Sequence, residues 1–508
     1  MVTRRTFVSA AAASPLVAQS GRKPNFLFLL ADDHAGYVMG CDGNRKAETP
    51  NLDRLASEGT RFASNYCNSP VCTPSRQSFF TGQMPHTAGV TTLRTALDAA
   101  KPTIAKQLKQ AGYKTAVFGK MHFNRPGTPG LHGFDHLMTE PEINKAWREA
   151  GGKPVPAGVP TQTLPWQPFR TPAEQWLNAG NLPHPKYDEG MRSAFQVRQV
   201  SKYLEENKNQ PFALWVSFME PHSPFDFPVE GRKFTAAEFE APRLGPQDGP
   251  QIPLIFRDLS EEQKRGIVAA YYNSTRYLDT NLGRVLDLLR KQNLEDNTFI
   301  VYMADHGYSL GQHGRFEKHC GYDPAMRVPL IMRWPGHIRE GVVSEFTESV
   351  DVPHTILDML GAPELPVRHG SSLRPYLEGK RPPSVRDHIF SEYLENEEAF
   401  IRTKDHKFIF CTGKRERTDG YKTENPKPGQ YIRLYDLKSD PGEFNDVSQK
   451  NPKIVARMKQ LMLQRFRSTH PEAEREPKSV SADDAIGWYL RPRDADASQP
   501  ADRAEEKK

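Results

Sequence analysis

Four apolar segments, each followed directly by charged or histidine residues, restrict the folds open to this chain more than any other feature. They are residues 25–30, 115–118, 212–218 and 298–303. Continuous apolar runs of this length indicate strands that are buried on both faces, as in a parallel sheet covered by helices on either side. The sequence therefore predicts an α/β fold built on a mostly parallel sheet that is sandwiched by helices.

Polar side chains follow all four segments at the point where each predicted strand ends. The carboxyl ends of parallel strands meet at one edge of a sheet, and ligands of open α/β folds bind there. We therefore expect these side chains to form one composite site. They are Asp32 and Asp33, Lys120 and His122, His222, and Asp305 and His306.

Two pairs in this set predict a metal site. Asp32 and Asp33 would repel each other if they were buried together, so they require a cation. Asp305 and His306 end another strand in the same way. Carboxylates in this number suit a hard divalent ion such as Ca²⁺ or Mg²⁺. A single pair of this kind is more often a helix cap or a solvated turn, and it is the occurrence of both after buried strands that favours the metal.

Cys72 opens the segment Cys-Thr-Pro-Ser-Arg, which continues to Thr-Gly at 81–82. Pro74 suits the first turn of a helix, and the residue before a proline is biased toward extended backbone, so we expect Cys72 just before a helix begins. That end of a helix carries partial positive charge and unpaired N–H groups. Arg76 lies about one turn further on, so both side chains can face one anion. The alternative is an ordinary buried cysteine beside a capped helix.

The complete segment, Cys-x-Pro-Ser-Arg with Thr-Gly at its end, resembles the signature of the sulfatase family. The resemblance implies that a formylglycine-generating or radical maturation enzyme oxidises Cys72 to formylglycine, an aldehyde that hydrates to a geminal diol. One diol oxygen then attacks the sulfur of a sulfate ester. The resemblance also implies an alkaline-phosphatase-like fold, with a mixed, mostly parallel sheet and a small C-terminal α+β domain.

The same resemblance assigns roles to individual residues. His122 would deprotonate the diol and release sulfate, and His222 or Lys318 would protonate the leaving group. Many members carry asparagine where His306 stands; a histidine there is similar to iduronate-2-sulfatase-like members. Calcium is the expected ion, with magnesium as the alternative. The implied metal ligands are Asp32, Asp33, Cys72, Asp305 and His306, and the implied sulfate-binding residues are Arg76, Lys120, His122, His222 and Lys318.

The resemblance covers roughly residues 24–465 and is a poor guide to substrate. Residues 119–123 and 131–135 are also similar to choline-sulfatase-like members. Two long segments rich in proline and glycine, 141–185 and 225–253, predict loops over the site, and such loops usually carry specificity. With Trp147, Trp166 and Trp176 as candidates for stacking on sugar rings, they favour a sulfated carbohydrate. The alternatives are a phosphonate monoester hydrolase or phosphodiesterase of the same superfamily, or an unmodified glycan-binding homologue.

Composition excludes several other classes of protein. The net charge is only +6, from 68 basic and 62 acidic residues, and no basic run with interleaved aromatics occurs, so nucleic-acid binding has little support. The five cysteines contain no Cys-x-x-Cys pair, which argues against zinc or iron–sulfur ligation. If Cys72 is converted, the other four are candidates for disulfides outside the cytoplasm. The oligomeric state stays open.

The N-terminus predicts export, and the remainder divides into domains. Arg4 and Arg5 precede a short alanine-rich run to Ala18, which resembles a twin-arginine signal and implies a periplasmic or extracellular protein. No other apolar run is long enough to span a membrane. Beyond about residue 379, short apolar segments predict an antiparallel sheet. The predicted division is 1–20 signal peptide, 21–380 catalytic domain, 381–475 C-terminal subdomain and 476–508 charged, partly disordered tail.

Overall fold

The computed structural model describes residues 22–125, 127–128, 130–163, 172–382, 384–413, 421–423 and 431–494. Two predictions lie outside these residues: the twin-arginine signal at 1–20 and the disorder expected for the last fifteen or so residues. Trp166, a candidate for sugar stacking, also lies outside them.

The strands of the described residues form one large sheet and two smaller ones. In chain order they are β1 Asn25–Ala31, β2 Thr60–Phe62, β3 Asn65–Tyr66, β4 Lys114–Gly119, β5 His136–Met138, β6 Phe212–Ser217, β7 Thr298–Ala304, β8 Leu330–Arg333, β9 Gly341–Val343, β10 Thr347–Glu348, β11 His388–Tyr393, β12 Glu398–Thr403, β13 His406–Cys411 and β14 Tyr431–Asp436.

The large sheet has eight strands in the order β5-β4-β6-β1-β7-β8-β2-β9 among the residues described. Neighbours from β5 to β7 run parallel, whereas β8 is antiparallel to both β7 and β2, and β9 is parallel to β2. The predicted mixed, mostly parallel sheet is therefore confirmed. The four apolar segments of the sequence correspond to β1, β4, β6 and β7. These four strands are direct neighbours in the sheet.

Helices cover both faces of this sheet. In chain order they are α1 Pro50–Ser57, α2 Cys72–Thr81, α3 Pro85–Ala88, α4 Ile104–Gln110, α5 Glu140–Ala150, α6 Ala173–Trp176, α7 Arg192–Asn207, α8 Glu261–Lys291, α9 Asp323–Met326, α10 Asp351–Met359, α11 Arg374–Leu377, α12 Pro452–Thr469 and α13 Ala482–Tyr489.

Strand β1 shows why its sequence is continuously apolar. Leu27 and Leu29 point into the core that β1 shares with α1, α7 and α8. Phe26 and Phe28 point the opposite way, into the core shared with α2, α4 and α10. Because successive side chains of a strand alternate between faces and both faces are covered, every position must be apolar.

Helix α8 is one continuous element. Ser260 caps it: its hydroxyl accepts a hydrogen bond from the Gln263 N–H, and the Gln263 side chain accepts one from the Ser260 N–H. This reciprocal pair satisfies two of the N–H groups that a helix leaves unpaired at its start. The helix then runs for 31 residues along the sheet.

The C-terminal subdomain is the predicted antiparallel sheet, in the order β11-β12-β13-β14, packed against α12 and α13. The packed unit extends beyond residue 475, where the sequence placed the start of the tail, because α13 buries Ile486 and Tyr489 in the same core. Further on, the Asp494 carboxylate accepts hydrogen bonds from the Thr91 N–H at 2.5 Å and the Thr95 hydroxyl at 2.7 Å. Part of the predicted tail is thus ordered against the catalytic domain.

A buried charge network joins the two domains, and we call it the domain junction: Asp323, Arg402, Lys407 and Glu443. The Asp323 carboxylate accepts from Lys407 Nζ at 2.7 Å and from Arg402 Nε at 3.1 Å. The Asp323 N–H donates to Glu443 Oε2 at 2.8 Å, and Lys407 Nζ lies 3.2 Å from Glu443 Oε1. Asp323 opens α9 in the catalytic domain, whereas Arg402 and Lys407 lie on β12 and β13.

Neither a membrane-spanning helix nor a disulfide bond occurs in the part of the chain that the structure describes. No helix there is both long and apolar enough to cross a bilayer. All five cysteines are described, and all are free thiols, so the disulfides considered from the sequence do not form here. They are Cys41, Cys67, Cys72, Cys320 and Cys411.

Candidate active site

The ends of β4, β6, β1 and β7 lie side by side, as predicted from the polar residues that follow them. Gly119 is paired with Ser217, and Ala31 with Ala304. The Asp33 N–H donates to Asp305 Oδ1 at 3.2 Å, which ties the residues after β1 to those after β7. The structure thus brings the sequence-predicted residues into one buried group at the carboxyl edge of the sheet.

Helix α2 places Cys72 at the centre of this group. The helix begins at Cys72 itself, one residue earlier than predicted, because the first helical hydrogen bond runs from the Ser75 N–H to the Val71 carbonyl at 3.0 Å. Pro74 still lies in the first turn, where its missing N–H leaves no bond unmade. The Thr73 hydroxyl donates to the Leu93 carbonyl at 2.6 Å and fixes that turn against a neighbouring loop.

Helix α2 is also bound to the residues after β7. The Ser75 hydroxyl donates to the Asp305 carbonyl at 2.5 Å, and Arg76 Nε donates to Asp305 Oδ2 at 2.8 Å. Arg76 Nη1 donates to the Lys120 carbonyl at 2.5 Å and to the Ser217 hydroxyl at 2.9 Å. Arg76 therefore connects the ends of three strands, and its guanidinium lies beside Cys72 with no exposed surface.

Four side chains form a group suited to a metal ion: Asp32, Asp33, Cys72 and His306. One potential ligand atom from each lies within 4.8 Å of all the others. His306 Nε2 is 3.1 Å from Cys72 Sγ and 3.4 Å from Asp33 Oδ1. His306 Nδ1 lies 3.0 Å from the Gly307 carbonyl oxygen, so Nδ1 carries the ring N–H. Nε2 is then unprotonated and free to act as a ligand. Oxygen donors and one imidazole nitrogen suit a divalent ion, so the residues present fit the predicted metal.

Asp305, the fifth predicted ligand, lies beside this group rather than within it. Its Oδ2 atom accepts from Arg76 Nε and is 3.5 Å from His306 Nε2. Its Oδ1 atom accepts from the N–H groups of Asp33 and His306. In this structure Asp305 therefore organises the backbone of two candidate ligands and holds Arg76, and its role as a direct ligand stays a prediction.

The two adjacent carboxylates have opposite pKa shifts. Burial opposes ionisation of Asp32, but the positive charges around it, Lys120 first, outweigh burial and hold its pKa well below the usual range. Burial raises the pKa of Asp33 well above its usual value, although Lys318 Nζ lies 2.9 Å from Oδ1. The neighbouring charges of Asp32 and Asp305 raise it further. A divalent cation would favour the ionised form of both carboxylates, which supports the fit to a metal.

Three cations surround Cys72. Arg76 follows it on α2, and Lys120 Nζ lies 3.8 Å from Cys72 Sγ and forms an ion pair with Asp32. Lys318 reaches the site from the loop after β7 and binds Asp33. The charges of these carboxylates outweigh burial, so the pKa of each lysine is raised and both remain protonated. The group can therefore hold an anion next to Cys72.

The two predicted histidines also lie here and are half-buried. Burial lowers the pKa of His122 well below its usual value, and the nearby charges of Lys120 and Arg76 lower it further. Its Nδ1 atom has no hydrogen-bond partner among the described residues. Burial, followed by Lys318, likewise lowers the pKa of His222. His222 Nδ1 lies 2.7 Å from the Ser223 carbonyl, and Nε2 lies 3.9 Å from Asp33 Oδ2, so Nε2 faces the site.

Two residues of this site did not stand out in the sequence. Ser217, which binds Arg76, is the last residue of β6 and occupies the same kind of strand-end position as the predicted residues. Gln77 Nε2 donates to the carbonyls of Met121 and His122 at 3.0 and 3.1 Å and holds that loop against α2. The strand-end position was a signal for Ser217, whereas Gln77 is placed only by the packing of α2.

The tryptophans considered for stacking on sugars do not behave alike. Trp176 is buried in the core beside Phe256, so its assignment to a sugar-stacking surface is wrong. Trp147 is half-buried, and its Nε1–H donates to the Gly190 carbonyl at 2.7 Å. A large aromatic side chain serves core packing as readily as stacking, and the sequence does not distinguish the two uses.

Comparison with known proteins extends over most of the chain. The family model described as Sulfatase matches residues 24–362, and the model described as N-sulphoglucosamine sulphohydrolase, C-terminal, matches residues 311–468. A choline-sulfatase of Rhizobium meliloti is 28% identical over 92% of this chain and 91% of its own length. An N-acetylglucosamine-6-O-sulfatase of Bacteroides thetaiotaomicron is 28% identical over 89% of this chain and 87% of its own.

A solved structure supports the fold independently. The phosphonate monoester hydrolase of Agrobacterium radiobacter superposes with a TM-score of 0.74, over 88% of this chain and 96% of that one. The two sequences are 24% identical, so this likeness bears on the fold alone. The predicted architecture of the α/β core and the C-terminal subdomain agrees with it.

Proposed function

This chain belongs to the sulfatase family and is a sulfuric ester hydrolase, and from that premise we propose that it removes sulfate from a sulfated carbohydrate through a formylglycine derived from Cys72. The observation that carries the proposal is the environment of Cys72. Its Sγ lies 3.6 Å from Asp32 Oδ1, 3.8 Å from Lys120 Nζ and 3.1 Å from His306 Nε2, at the buried start of α2.

The positive side chains have a direct chemical use in this reaction. A sulfate ester carries one negative charge, and further charge develops on the leaving oxygen as its bond to sulfur breaks. Fixed donors directed at those oxygens stabilise the transition state more than the ground state. We assign this role to Arg76, Lys120 and Lys318, since all three are buried and held in place by carboxylates or carbonyls.

The histidines suit proton transfer. Because burial keeps both imidazoles neutral, His122 can accept a proton from the nucleophile through a ring nitrogen. His222 is neutral and its Nδ1–H is held by the Ser223 carbonyl, so its Nε2 faces the site without a proton. We therefore assign protonation of the departing alcohol oxygen to Lys318, which stays charged. Single variants of His122 and Lys318 would separate the two roles by their effects on esters with good and poor leaving groups.

The two groups that would complete the site are a metal and a modified residue. A Ca²⁺ or Mg²⁺ ion held by Asp32, Asp33, position 72 and His306, with Asp305 beside them, would act as a Lewis acid toward a sulfate oxygen. Formylglycine at position 72 would supply a hydrated aldehyde, and a hydroxyl of that hydrate would be the nucleophile. The unmodified thiol is less suited to this role, because burial raises its pKa. The chain's own residues hold both in place.

Mass spectrometry tests the modification directly. Trypsin releases a peptide from Phe62 to Arg76 that contains Cys67 and Cys72. Conversion of Cys72 lowers the mass of this peptide by about 18 Da, because one sulfur and two hydrogen atoms are exchanged for one carbonyl oxygen. Cys67 is an internal control that stays alkylatable. Two alkylated cysteines, in protein made alongside a maturation enzyme, would contradict the proposal and favour the unmodified glycan-binding alternative.

The substrate class rests on the relatives. One of them is named as an N-acetylglucosamine-6-O-sulfatase, whereas another is named as a choline-sulfatase. We favour a carbohydrate because the long segments 141–185 and 225–253 offer more recognition surface than a small alcohol requires. Sulfate release should be measured on a panel of sulfated mono- and oligosaccharides, with choline sulfate as the competing substrate. Faster turnover of choline sulfate than of every sugar would overturn this choice.

A phosphonate monoester hydrolase or phosphodiesterase of the same superfamily is the second candidate, because the resemblance around Cys72 does not distinguish the two classes. Parallel assays on an aryl sulfate and an aryl phosphonate ester of the same alcohol separate the two. We expect the larger kcat/KM for the sulfate. Dominant turnover of the phosphonate would make this candidate the better description of the site.

We also propose export through the twin-arginine route, which accepts folded proteins and suits a site that is completed before transport. Arg4 and Arg5 followed by the alanine-rich run support it. Replacement of both by lysine should leave the protein in the cytoplasm of a host that exports the original chain. N-terminal sequencing of exported protein should begin near Gly21, and retention of Met1 in that protein would contradict the prediction.

A further inference from the structure

Tyr271 lies under the metal-binding group but comes from a distant part of the chain. It belongs to α8, near the middle of that helix, and its side chain is completely buried. The Tyr271 ring stacks on Tyr308 at a centroid distance of 5.5 Å and meets Phe225 edge-on at 5.5 Å. Both neighbours follow site residues closely, since Phe225 is three residues after His222 and Tyr308 is two after His306.

The Tyr271 hydroxyl binds the turn that carries Asp33 from two sides. It donates to the Asp33 carbonyl at 2.6 Å and accepts from the Ala35 N–H at 2.8 Å. One hydroxyl therefore joins both ends of a three-residue segment and uses its donor and one acceptor position in doing so. Without this hydroxyl, the buried Asp33 carbonyl and the buried Ala35 N–H would each need another hydrogen-bond partner.

The turn held in this way has an unfavourable conformation. Asp33 has φ of 64°, in the left-handed region that residues with a Cβ rarely adopt. Its N–H is held by Asp305 Oδ1, and its carbonyl by Tyr271. A strained residue persists only where its surroundings fix it, and such positions concentrate at functional sites. The direction of the Asp33 carboxylate therefore depends on these two hydrogen bonds.

We propose that Tyr271 is a positioning residue whose hydroxyl fixes the Asp33 turn and thereby sets the affinity of the site for a divalent cation. This inference rests on the metal assignment made in the proposed function. The competing view is that the hydroxyl contributes only to the stability of the fold. The two differ in what happens to cation affinity when the hydroxyl alone is removed.

The chain offers a matched control in the next residue. Tyr272 is also buried in α8, and its hydroxyl accepts a hydrogen bond from Asn44 Nδ2 at 2.8 Å, away from Asp33. Tyr271→Phe and Tyr272→Phe each remove one buried hydroxyl and keep the ring. A general effect on packing or stability should therefore appear in both variants, whereas an effect through Asp33 should appear only in the first.

The test is calorimetric titration of Ca²⁺ into the metal-free, full-length protein, so that no activity measurement is needed. Loss of a residue that orients a metal ligand weakens metal binding by about 10- to 100-fold, and we expect at least about tenfold for Tyr271→Phe. Tyr272→Phe should stay within about threefold of the original chain. Weakening of less than about threefold in Tyr271→Phe, or equal weakening in both variants, would overturn the inference.

A second readout does not depend on the metal. The Ala35 N–H should exchange with solvent faster in metal-free Tyr271→Phe than in metal-free Tyr272→Phe, because its acceptor is gone. Unchanged protection of Ala35 would count against the inference even if affinity fell. If the original chain binds neither Ca²⁺ nor Mg²⁺, the metal assignment fails and the inference fails with it. This outcome differs from normal Ca²⁺ binding by Tyr271→Phe, which would contradict the inference alone.

Discussion

Two buried groups of charged side chains in this molecule use the same residue types but balance them differently. At the domain junction, Asp323 faces two cations; Lys407 and Arg402 outweigh the effect of burial and hold its pKa far below the usual range. In the active site, Asp33 faces one cation, Lys318, and burial raises its pKa. The Asp323 side chain keeps 24% of its surface exposed, whereas Asp33 keeps 1%, so the two groups differ in access to water as well as in the number of cations.

Asp323 has two cations fixed beside it within the chain, whereas Asp33 has one. Lys407 also lies next to Glu443, and the network joins two domains. The active site gathers three aspartates beside Cys72 and surrounds them with cations that are placed to meet an anion as well. Incomplete pairing of buried charge costs stability, and function is the usual reason for it.

The largest expected effect comes from Asp305→Ala. This change removes the carboxylate that binds Arg76 Nε, leaves Asp32 at 3.6 Å as the nearer remaining partner of the guanidinium, and frees the N–H groups of Asp33 and His306. We expect kcat/KM for an aryl sulfate to fall by at least about 100-fold, the scale of losing a fixed charge-stabilising group. Circular dichroism should confirm that the variant is folded, and full activity in it would refute the role given to Asp305.

Asp323→Asn tests the charge network of the domain junction. It leaves Lys407, whose side chain is fully buried, with Glu443 as its remaining carboxylate partner. Breaking a buried ion pair in this way typically costs about 3 kcal/mol in the free energy of unfolding, measurable by urea titration. The kcat of the folded variant should stay unchanged. A large fall in kcat with normal stability would show that the two groups are not independent.

Removal of the metal should affect stability through the active site alone. A ligand that binds only the folded state adds about 2.7 kcal/mol at a hundredfold excess over its Kd, so chelation should lower the melting temperature and added Ca²⁺ should restore it. Asp323→Asn should show the same Ca²⁺-dependent shift, whereas Asp33→Asn should lose most of it. An equal shift in Asp33→Asn would place the ion elsewhere.

The pH dependence of stability should report the junction. The folded pKa of Asp323 lies below its unfolded value of about 3.9, so its contribution is complete above that value and is lost as the pH falls below it. The free energy of unfolding should fall on acidification by at most about 1.4 kcal/mol per pH unit from this one group. Asp323→Asn should show a correspondingly shallower slope below about pH 4, and identical slopes would contradict the pairing.

Much of the core and most of the candidate site could be predicted, because their signals are local. Strand β1 is apolar at every position after Asn25, and Asp32 and Asp33 follow it directly, so both the strand and part of the site could be predicted. Cys72 and Arg76 were found through a short motif. Their place beside Asp305 was implied by the family resemblance, whereas the meeting of Asp32 and Lys120 with Asp305 followed from the rule that parallel strands end at one edge.

The residues that escaped prediction are placed by tertiary packing. Tyr271 lies inside a long amphipathic helix, where nothing in the neighbouring residues shows that its hydroxyl reaches Asp33. Asp323 follows no strand, and its partners lie about eighty residues away on another sheet. Trp176 was a candidate for a surface that it does not occupy, and α13 falls in the predicted tail because the residues around it are mostly charged and lack an apolar period.

The ordered end of the chain has a practical consequence for anyone who shortens it. Asp494 binds Thr91 and Thr95, and the carbonyl of Leu93 between them accepts the hydrogen bond from Thr73, the neighbour of Cys72. A truncation designed at residue 475 would strip α13 from its core and release the loop that steadies the first turn of α2. Trimming for crystallisation, and any cleavage site for a C-terminal tag, should therefore begin after Asp494.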